Sequence, residues 1–294
     1  MNYRKTALGP GLYLVATPIG TARDITLRAL DTLASCDLIA AEDTRTLRRL
    51  LEIHGVPLEG RRTVALHDHS DAGVIARLVG AMKEGASVAC VSEAGSPLIA
   101  DPGFELVRAA RAAGVPVTAV PGPSAVVTAL SVADLPTDRF LFCGFLPAAS
   151  AARKAELMTL REVPATLVFY ESPKRVREML GDACEVLGKE RAAAVCRELT
   201  KKFEEVRSGP LSRLVADFDG PAPKGEIVVL IDRPRTDGIA ASDIEAALRQ
   251  ALTTMRVKEA VTTVSGALGL PRRQVYQTAL DLTGKGKDDD ARDA

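Results

Sequence analysis

The chain has 294 residues, of which 47% are apolar and 26% charged, enough for two domains, or two with a small appendage, and incompatible with wholesale disorder. Its 38 Lys+Arg balance 38 Asp+Glu, so bulk attraction to nucleic acid is not expected, although a local basic face remains open. Apolar runs such as 12–16 and 227–231 are strand-sized, far short of the ~20 residues of a membrane helix. Pro18 interrupts the only apolar run near the amino end, which argues against a signal peptide and for a cytoplasmic protein. Five cysteines, Cys36, Cys90, Cys143, Cys184 and Cys196, are odd in number and widely spaced, so they read as reduced packing residues.

Short β-branched runs alternate with helix-period segments up to Asp232, the α/β pattern. Strands are expected at 12–16, 38–41, 64–67, 88–92 and 117–120. Between them Leu27, Leu30 and Leu33 share a helical face with Asp24 as its cap. Leu47, Leu50 and Leu51 mark the next helix, and Val74, Leu78 and Met82 another. Pro121 and Pro123 flank Gly122, a place for the chain to cross into a second lobe. That lobe is expected to hold strands at 140–145, 166–170, 193–197 and 227–231, and helices at 151–160 and 176–187. Nothing requires its sheet to be purely parallel, and a hairpin turning at Ser208, Gly209 and Pro210 fits residues 200–218.

A polar Pro/Gly stretch then reads as a linker, followed by three short helices. Ser242 would cap the first, carrying Ile244, Leu248 and Leu252; Gly269 and Pro271 would stop the second; Val275, Tyr276 and Leu280 lie on the third. The expected divisions are 1–119 and 120–233 as two α/β lobes, 234–241 as linker, 242–281 as a small helical domain and 282–294 as a tail. The helices resemble a helix-turn-helix, and any three-helix cap would show the same spacing.

Several chemistries lack their motifs. The turn after the first strand has one glycine where a dinucleotide fold needs three, and no phosphate loop or nucleophile elbow occurs. His67 and His69 would share a strand face, but no third ligand has metal spacing, so no metal is expected. What remains is a set of loops at the carboxyl ends of strands, where open α/β sheets bind ligands. Residues 92–103 are the most distinctive: two acids, two serines and the Pro97 and Pro102 turns make a stiff loop whose backbone a ligand can approach closely.

The ordered strings VATPIG (15–20), AEDTR (41–45), HDHSD (67–71), SEAGSPLIADPG (92–103), PGPSA (121–125) and YESPKR (170–175) resemble the RsmI family. That family is the cytidine 2'-O-methyltransferases of 16S ribosomal RNA, a branch of the tetrapyrrole methylase superfamily. The resemblance covers about residues 11–232 and extends to Lys258, Glu259, Ala260 and Tyr276 near the carboxyl end. It departs at Thr21, Asp68, Ser70, Glu93 and Ser96, where the family more often has Asn, Glu, Asn, Asp and Thr.

The resemblance implies a two-lobed, class III methyltransferase with a small helical carboxyl-terminal domain, holding S-adenosylmethionine between its lobes. By position, the cofactor would touch Pro18, then Ser92, Glu93, Ala94, Gly95, Ser96, Pro97 and Leu98, then Ser124, Ala125, Tyr170, Glu171 and the strand near Glu226. It also implies 16S rRNA or the assembled small subunit as partner, no membrane, and a homodimer. Transfer to a ribose hydroxyl needs alignment and a base. Asp43, His67, Asp68, Asp101 and Glu171 are the candidates; Asp43 and His67 are taken as base or orienter, and Arg45 as a phosphate or ribose clamp. Two rivals remain: a corrin or porphyrin C-methyltransferase, to which 4% aromatic content is poorly suited, and a non-catalytic RNA-binding assembly factor.

Overall fold

The computed structural model describes residues 3–67, 72–234, 241–268 and 270–283. Asp68, His69, Ser70, Asp71, Gly269, most of the linker and the tail lie outside the described residues. The chain divides into two compact units, Met1–Arg233 and Pro234–Ala294.

The first unit begins with five parallel strands, β1 (Gly11–Val15), β2 (Leu38–Ala41), β3 (Arg62–Ala65), β4 (Ser87–Val91) and β5 (Val117–Val120), in the order β3-β2-β4-β1-β5. Burial on both faces explains why the middle strands read as continuous apolar runs. The pleat sends Val15, Ile39, Ala89 and Val91 to one face, against Leu30 and Leu33 of α1 (Leu27–Ser35) and Leu47 and Leu51 of α2 (Thr44–Ile53). Leu12, Ala40, Val88 and Cys90 face the other side, against Leu78 and Met82 of α3 (Ala72–Lys83) and Leu106 of α4 (Phe104–Ala112). Register aligns Val15 with both Val91 and Val120, and Ala41 with Val91. The turns that follow β1, β2, β4 and β5 therefore leave from one edge.

After β5 the chain forms α5 (Ala125–Val132), whose Val126, Ala129 and Leu130 pack on the second sheet, among Val168, Cys196, Val228 and Leu230. That sheet holds β6 (Phe140–Phe145), β7 (Thr166–Glu171), β8 (Ala192–Arg197), β9 (Glu205–Pro210) and β10 (Ile227–Ile231), in the order β6-β7-β10-β8-β9. Only β6 and β7 pair in parallel; the other neighbours are antiparallel. Its far face is covered by α6 (Ser150–Leu160), α7 (Val176–Leu187) and α8 (Leu211–Asp217) through Leu157, Met179, Leu180 and Leu211. In the second unit, α9 (Ala241–Leu252), α10 (Val257–Leu268) and α11 (Arg272–Thr283) bury Ile244, Leu248, Val264 and Val275.

Three local expectations change. Asp24 ends a single 3-10 turn, and the cap of α1 is Thr26, whose hydroxyl accepts from the Ala29 amide at 3.1 Å. Ser208, Gly209 and Pro210 do not turn: they continue β9 opposite Ala194, Ala193 and Ala192, and the chain reverses earlier, between Arg197 and Glu205. The cause is the partner strand, which outweighs local turn propensity. Ser242 lies inside α9, which starts at Ala241. All five cysteines are free thiols. Among the described residues, no helix is long and apolar enough to cross a membrane.

Behind the second sheet, Arg153 is 1% exposed. Its Nε donates to Asp182 at 2.7 Å and its Nη1 to the Ala148 carbonyl at 3.0 Å. Asp182 also accepts from Ser150 at 3.0 Å. Removing Asp182 leaves the buried guanidinium with only the exposed Glu178, 3.7 Å away, so Asp182→Ala is expected to lower unfolding free energy by about 3 kcal/mol in urea denaturation. A loss under ~1 kcal/mol would show that the pair contributes little.

Candidate functional site

Three turns on the shared edge of the first sheet are stitched together by their own backbone. Thr17 and Gly95 exchange both amide hydrogen bonds, at 2.8 and 3.0 Å, as an isolated antiparallel bridge between the turns after β1 and β4. The Ser92 hydroxyl donates to the Gly95 carbonyl at 3.0 Å, and Ser96 to the Pro123 carbonyl at 3.1 Å, which adds the turn after β5. Gly95 sits at φ +85, and a side chain there would meet Ile19 at 3.3 Å. Leu98 (φ 71) and Ala100 (φ 61) also adopt left-handed backbone. Such positions cost about 1–3 kcal/mol each and persist only where neighbours over-determine the path.

The same turns rest on the second sheet's connections. A Cβ on Gly20 would lie 2.6 Å from Thr200 Oγ1 and 2.9 Å from the Leu199 carbonyl. The Thr21 amide donates to Thr200 Oγ1 at 3.1 Å, and the Thr21 hydroxyl donates to the Thr200 carbonyl. Next to this junction, Lys201 Nζ bridges Glu198 at 2.8 Å and Glu226 at 2.9 Å. Lys201 holds the Glu198 carboxyl below its usual range, so that ion pair is made at neutral pH.

Between the two sets of turns lies a cavity of about 350 Å³, at the lower end of ligand-site volumes. One wall is Ile19, Glu93, Ala94, Gly95, Ser96, Ile99, Ala100, Asp101, Ser124 and Ala125; the other is Phe145, Tyr170, Glu171, Ser172, Pro173, Cys196, Leu199, Gly225, Glu226, Ile227 and Val228. Tyr170 stands edge-on to Phe142 and Phe145, with centroids 4.9 and 5.7 Å away. Burial, with Asp101 and Glu226 nearby, pushes its phenol up to about 12, so the hydroxyl stays a proton donor. Burial likewise pushes the Cys196 thiol up to about 12, leaving it an uncharged, inert lining group. Glu171 is 3% exposed; one oxygen accepts from the Ser172 amide at 2.7 Å and lies 3.2 Å from Arg175 Nε.

Nine of the residues named for the cofactor, Glu93, Ala94, Gly95, Ser96, Ser124, Ala125, Tyr170, Glu171 and Glu226, line this cavity, and so does Asp101, named as a candidate base. Pro18, Ser92, Pro97 and Leu98 belong to the same turns but do not line it; Ser92 holds the loop's shape through Gly95. The three residues named for catalysis are also outside the lining. Asp43 caps α2, accepting from the Arg45 amide at 2.7 Å and from its guanidinium at 3.1 Å. Arg45 holds the Asp43 carboxyl below its usual range, and Glu93 adds to the field that raises Arg45. His67 is exposed just past β3, two strands from the β4 turn. Asp68 lies outside the described residues.

Gly225, Ile227 and Val228 belong to the strand stretch expected near Glu226, whereas Phe145, Cys196 and Leu199 were not foreseen in the site. β10 runs antiparallel to β7 and β8, pairing Ile227 with Glu171 and Arg197, so its start meets their ends. Among the described residues, no group of three His, Cys, Asp or Glu is arranged to hold a metal ion.

Comparisons place this geometry among known proteins. Residues 11–215 match the family of tetrapyrrole (corrin/porphyrin) methylases, and residues 239–283 match the RsmI C-terminal HTH domain. Ribosomal RNA small subunit methyltransferase I of Mesorhizobium japonicum is 46% identical over 94% of this chain and 93% of its own. The protein of the same name from Vibrio cholerae is 44% identical over 94% of this chain and 96% of its own. Among solved structures, diphthine synthase matches with TM-score 0.59 at 16% identity, covering 75% of this chain and 89% of that one. A Thermus thermophilus uroporphyrin-III C-methyltransferase, complexed with S-adenosyl homocysteine, matches with TM-score 0.51 at 19% identity, covering 75% and 96%.

The close approach at Gly20 yields a prediction. Gly20→Ala is expected to force the two sets of turns apart and destabilise the protein by about 1–3 kcal/mol in thermal denaturation. Gly181→Ala, on a helix with nothing within 4 Å, is the control and is expected to be neutral or stabilising by up to ~1 kcal/mol. Equal effects at both sites would contradict a tight junction.

Proposed function

The chain belongs to the tetrapyrrole (corrin/porphyrin) methylase family and to its group named ribosomal RNA small subunit methyltransferase I, and from that premise we propose a specific reaction. It is transfer of a methyl group from S-adenosylmethionine to the 2'-oxygen of a cytidine ribose in small-subunit (16S) RNA.

The observation that carries the donor assignment is the charge of the cavity lining. Glu93, Asp101, Glu171 and Glu226 line it, and among the described residues no Lys, Arg or His does. That set suits a ligand bearing a sulfonium and an ammonium and would repel a phosphate-bearing cofactor. Ile19, Leu199, Val228 and the Tyr170 ring supply apolar surface for a purine, while the Gly95 and Ser96 backbone is open to close approach. These residues would hold the donor, which supplies an electrophilic methyl group when bound.

The protein's share of the work is then orientation and proton transfer. Alignment by stiff turns from both sheets accounts for up to ~7–11 kcal/mol of barrier lowering in such displacements. Asp43, kept ionised by Arg45, is a weak base and an effective anchor: it fixes the guanidinium, which remains 89% exposed and free to meet an RNA phosphate. His67, two strands along the same edge, takes the 2'-hydroxyl proton on a ring nitrogen.

Two further parts of the proposal follow from the substrate and the surface. The site of action is cytoplasmic, where ribosomal subunits are assembled. The enzyme works as a homodimer, a reading supported by exposed Phe140 and Leu141 on the outer strand β6.

Mapping ribose methylation on small-subunit RNA from cells with and without the protein tests the reaction: one 2'-O-methylcytidine is expected to vanish. His67→Ala should lower single-turnover methylation by about 10²–10⁴-fold with donor affinity unchanged. Arg45→Ala should act mainly on KM for RNA. Label passing to a tetrapyrrole with none to RNA would overturn the reading, as would a chain that binds RNA but no donor.

A further inference from the structure

In the second unit, α10 and α11 enclose a concavity of about 520 Å³ lined by Val257, Lys258, Val261, Arg272, Arg273 and Tyr276. Its chemistry differs from that of the first unit's cavity: among the described residues, three cations and an aromatic ring line it and no carboxylate does.

Helical spacing explains the grouping. Arg272 and Arg273 stand four and three residues before Tyr276, so the first turn of α11 presents two guanidiniums and a phenol on one side. Lys258 and Val261, three apart on α10, form the facing wall, with Val261 buried as floor.

Among the described residues, none of the three cations forms an ion pair with a carboxylate, whereas Arg249 elsewhere in this unit pairs with Glu245. Arg272 is instead steadied by a hydrogen bond to Thr262 Oγ1 at 2.5 Å. Tyr276 is 47% exposed, so its ring is open to a stacking partner. The amide ends of α11 add positive potential on the same side.

We propose that this concavity is an RNA-binding site for an unpaired or looped segment, with Lys258, Arg272 and Arg273 on successive phosphates and one base stacked on Tyr276. The reasoning is complementarity. Phosphates neutralise three cations that pair with no carboxylate among the described residues, and an apolar floor beside an exposed ring receives a base face, the pairing that single-strand binders use. An acidic peptide would satisfy the cations but leave the ring without a flat partner. The proposal rests on the RNA-methylation reading for the identity of the RNA, but its geometry concerns binding alone.

The test is binding of the full-length protein to a small-subunit RNA fragment by filter retention across a salt series, alongside donor calorimetry. The triple substitution Lys258→Ala, Arg272→Ala, Arg273→Ala is expected to lessen the slope of log affinity against log salt by about 2. Tyr276→Ala should weaken binding about fivefold or more with the slope unchanged, and Tyr276→Phe should restore it. Donor affinity and the circular-dichroism melting curve should match the parent throughout, because the substituted side chains are exposed. Unchanged RNA affinity and slope in the folded triple variant would overturn the proposal. Loss of affinity for assembled subunits, with parental binding to naked RNA, would also overturn it and make the face a protein contact. Parental RNA that binds through this face yet is never methylated would instead fault the reaction assigned to the first unit.

Discussion

Two hydrogen bonds between Thr17 and Gly95 hold together what the rest of the site depends on. Parallel strands end at a common edge but leave their turns free to diverge. The bridge closes the turn after β1 onto the turn after β4, and Ser96 closes the turn after β5 onto both. A single wall results. The price is left-handed backbone at Leu98 and Ala100, which a sheet without that bridge would have no reason to bear. Gly20 then lets this wall touch residues 199–201 of the other sheet, and a cavity remains where the two sets of turns stay apart.

Charge is distributed to match. Formal neutrality of the whole chain conceals an acidic lining in the first unit and a cationic concavity in the second. The first suits a small cationic donor; the second suits a polyanion. Their separation lets a neutral protein handle ligands of opposite sign without a large single-signed field that would bind nucleic acid indiscriminately. Asp43 and Arg45 lie at the margin, where Glu93 still influences the guanidinium from the cavity side.

Much of this was legible before the structure. Strand positions followed from apolar runs, most plainly where a strand is buried on both faces, as β2 and β10 are; the half-exposed edge strands β5 and β6 also fall at the expected residues. Glu93 to Ser96 and Tyr170 were readable because stiff, small-residue turns after strands have few structural uses. Local propensity failed where a distant partner decides. Ser208 to Pro210 form strand because β8 pairs with them, and Cys196 and Leu199 reach the cavity because β8 runs against β10, so that its end meets that strand's start. Antiparallel direction leaves no trace in the residues of one strand. Thr26 outcompeted Asp24 as a cap for a similar reason: the 3-10 turn at Ala22–Asp24 postpones the start of α1.

Hydrogen exchange of the full chain, with and without S-adenosyl homocysteine, probes the shared cavity most directly. The account predicts protection arising together in residues 17–20, 92–101 and 121–125 of the first sheet's turns and 170–173, 196–199 and 225–228 of the second's. Protection confined to the turns of one sheet, or falling on the second unit alone, would contradict it.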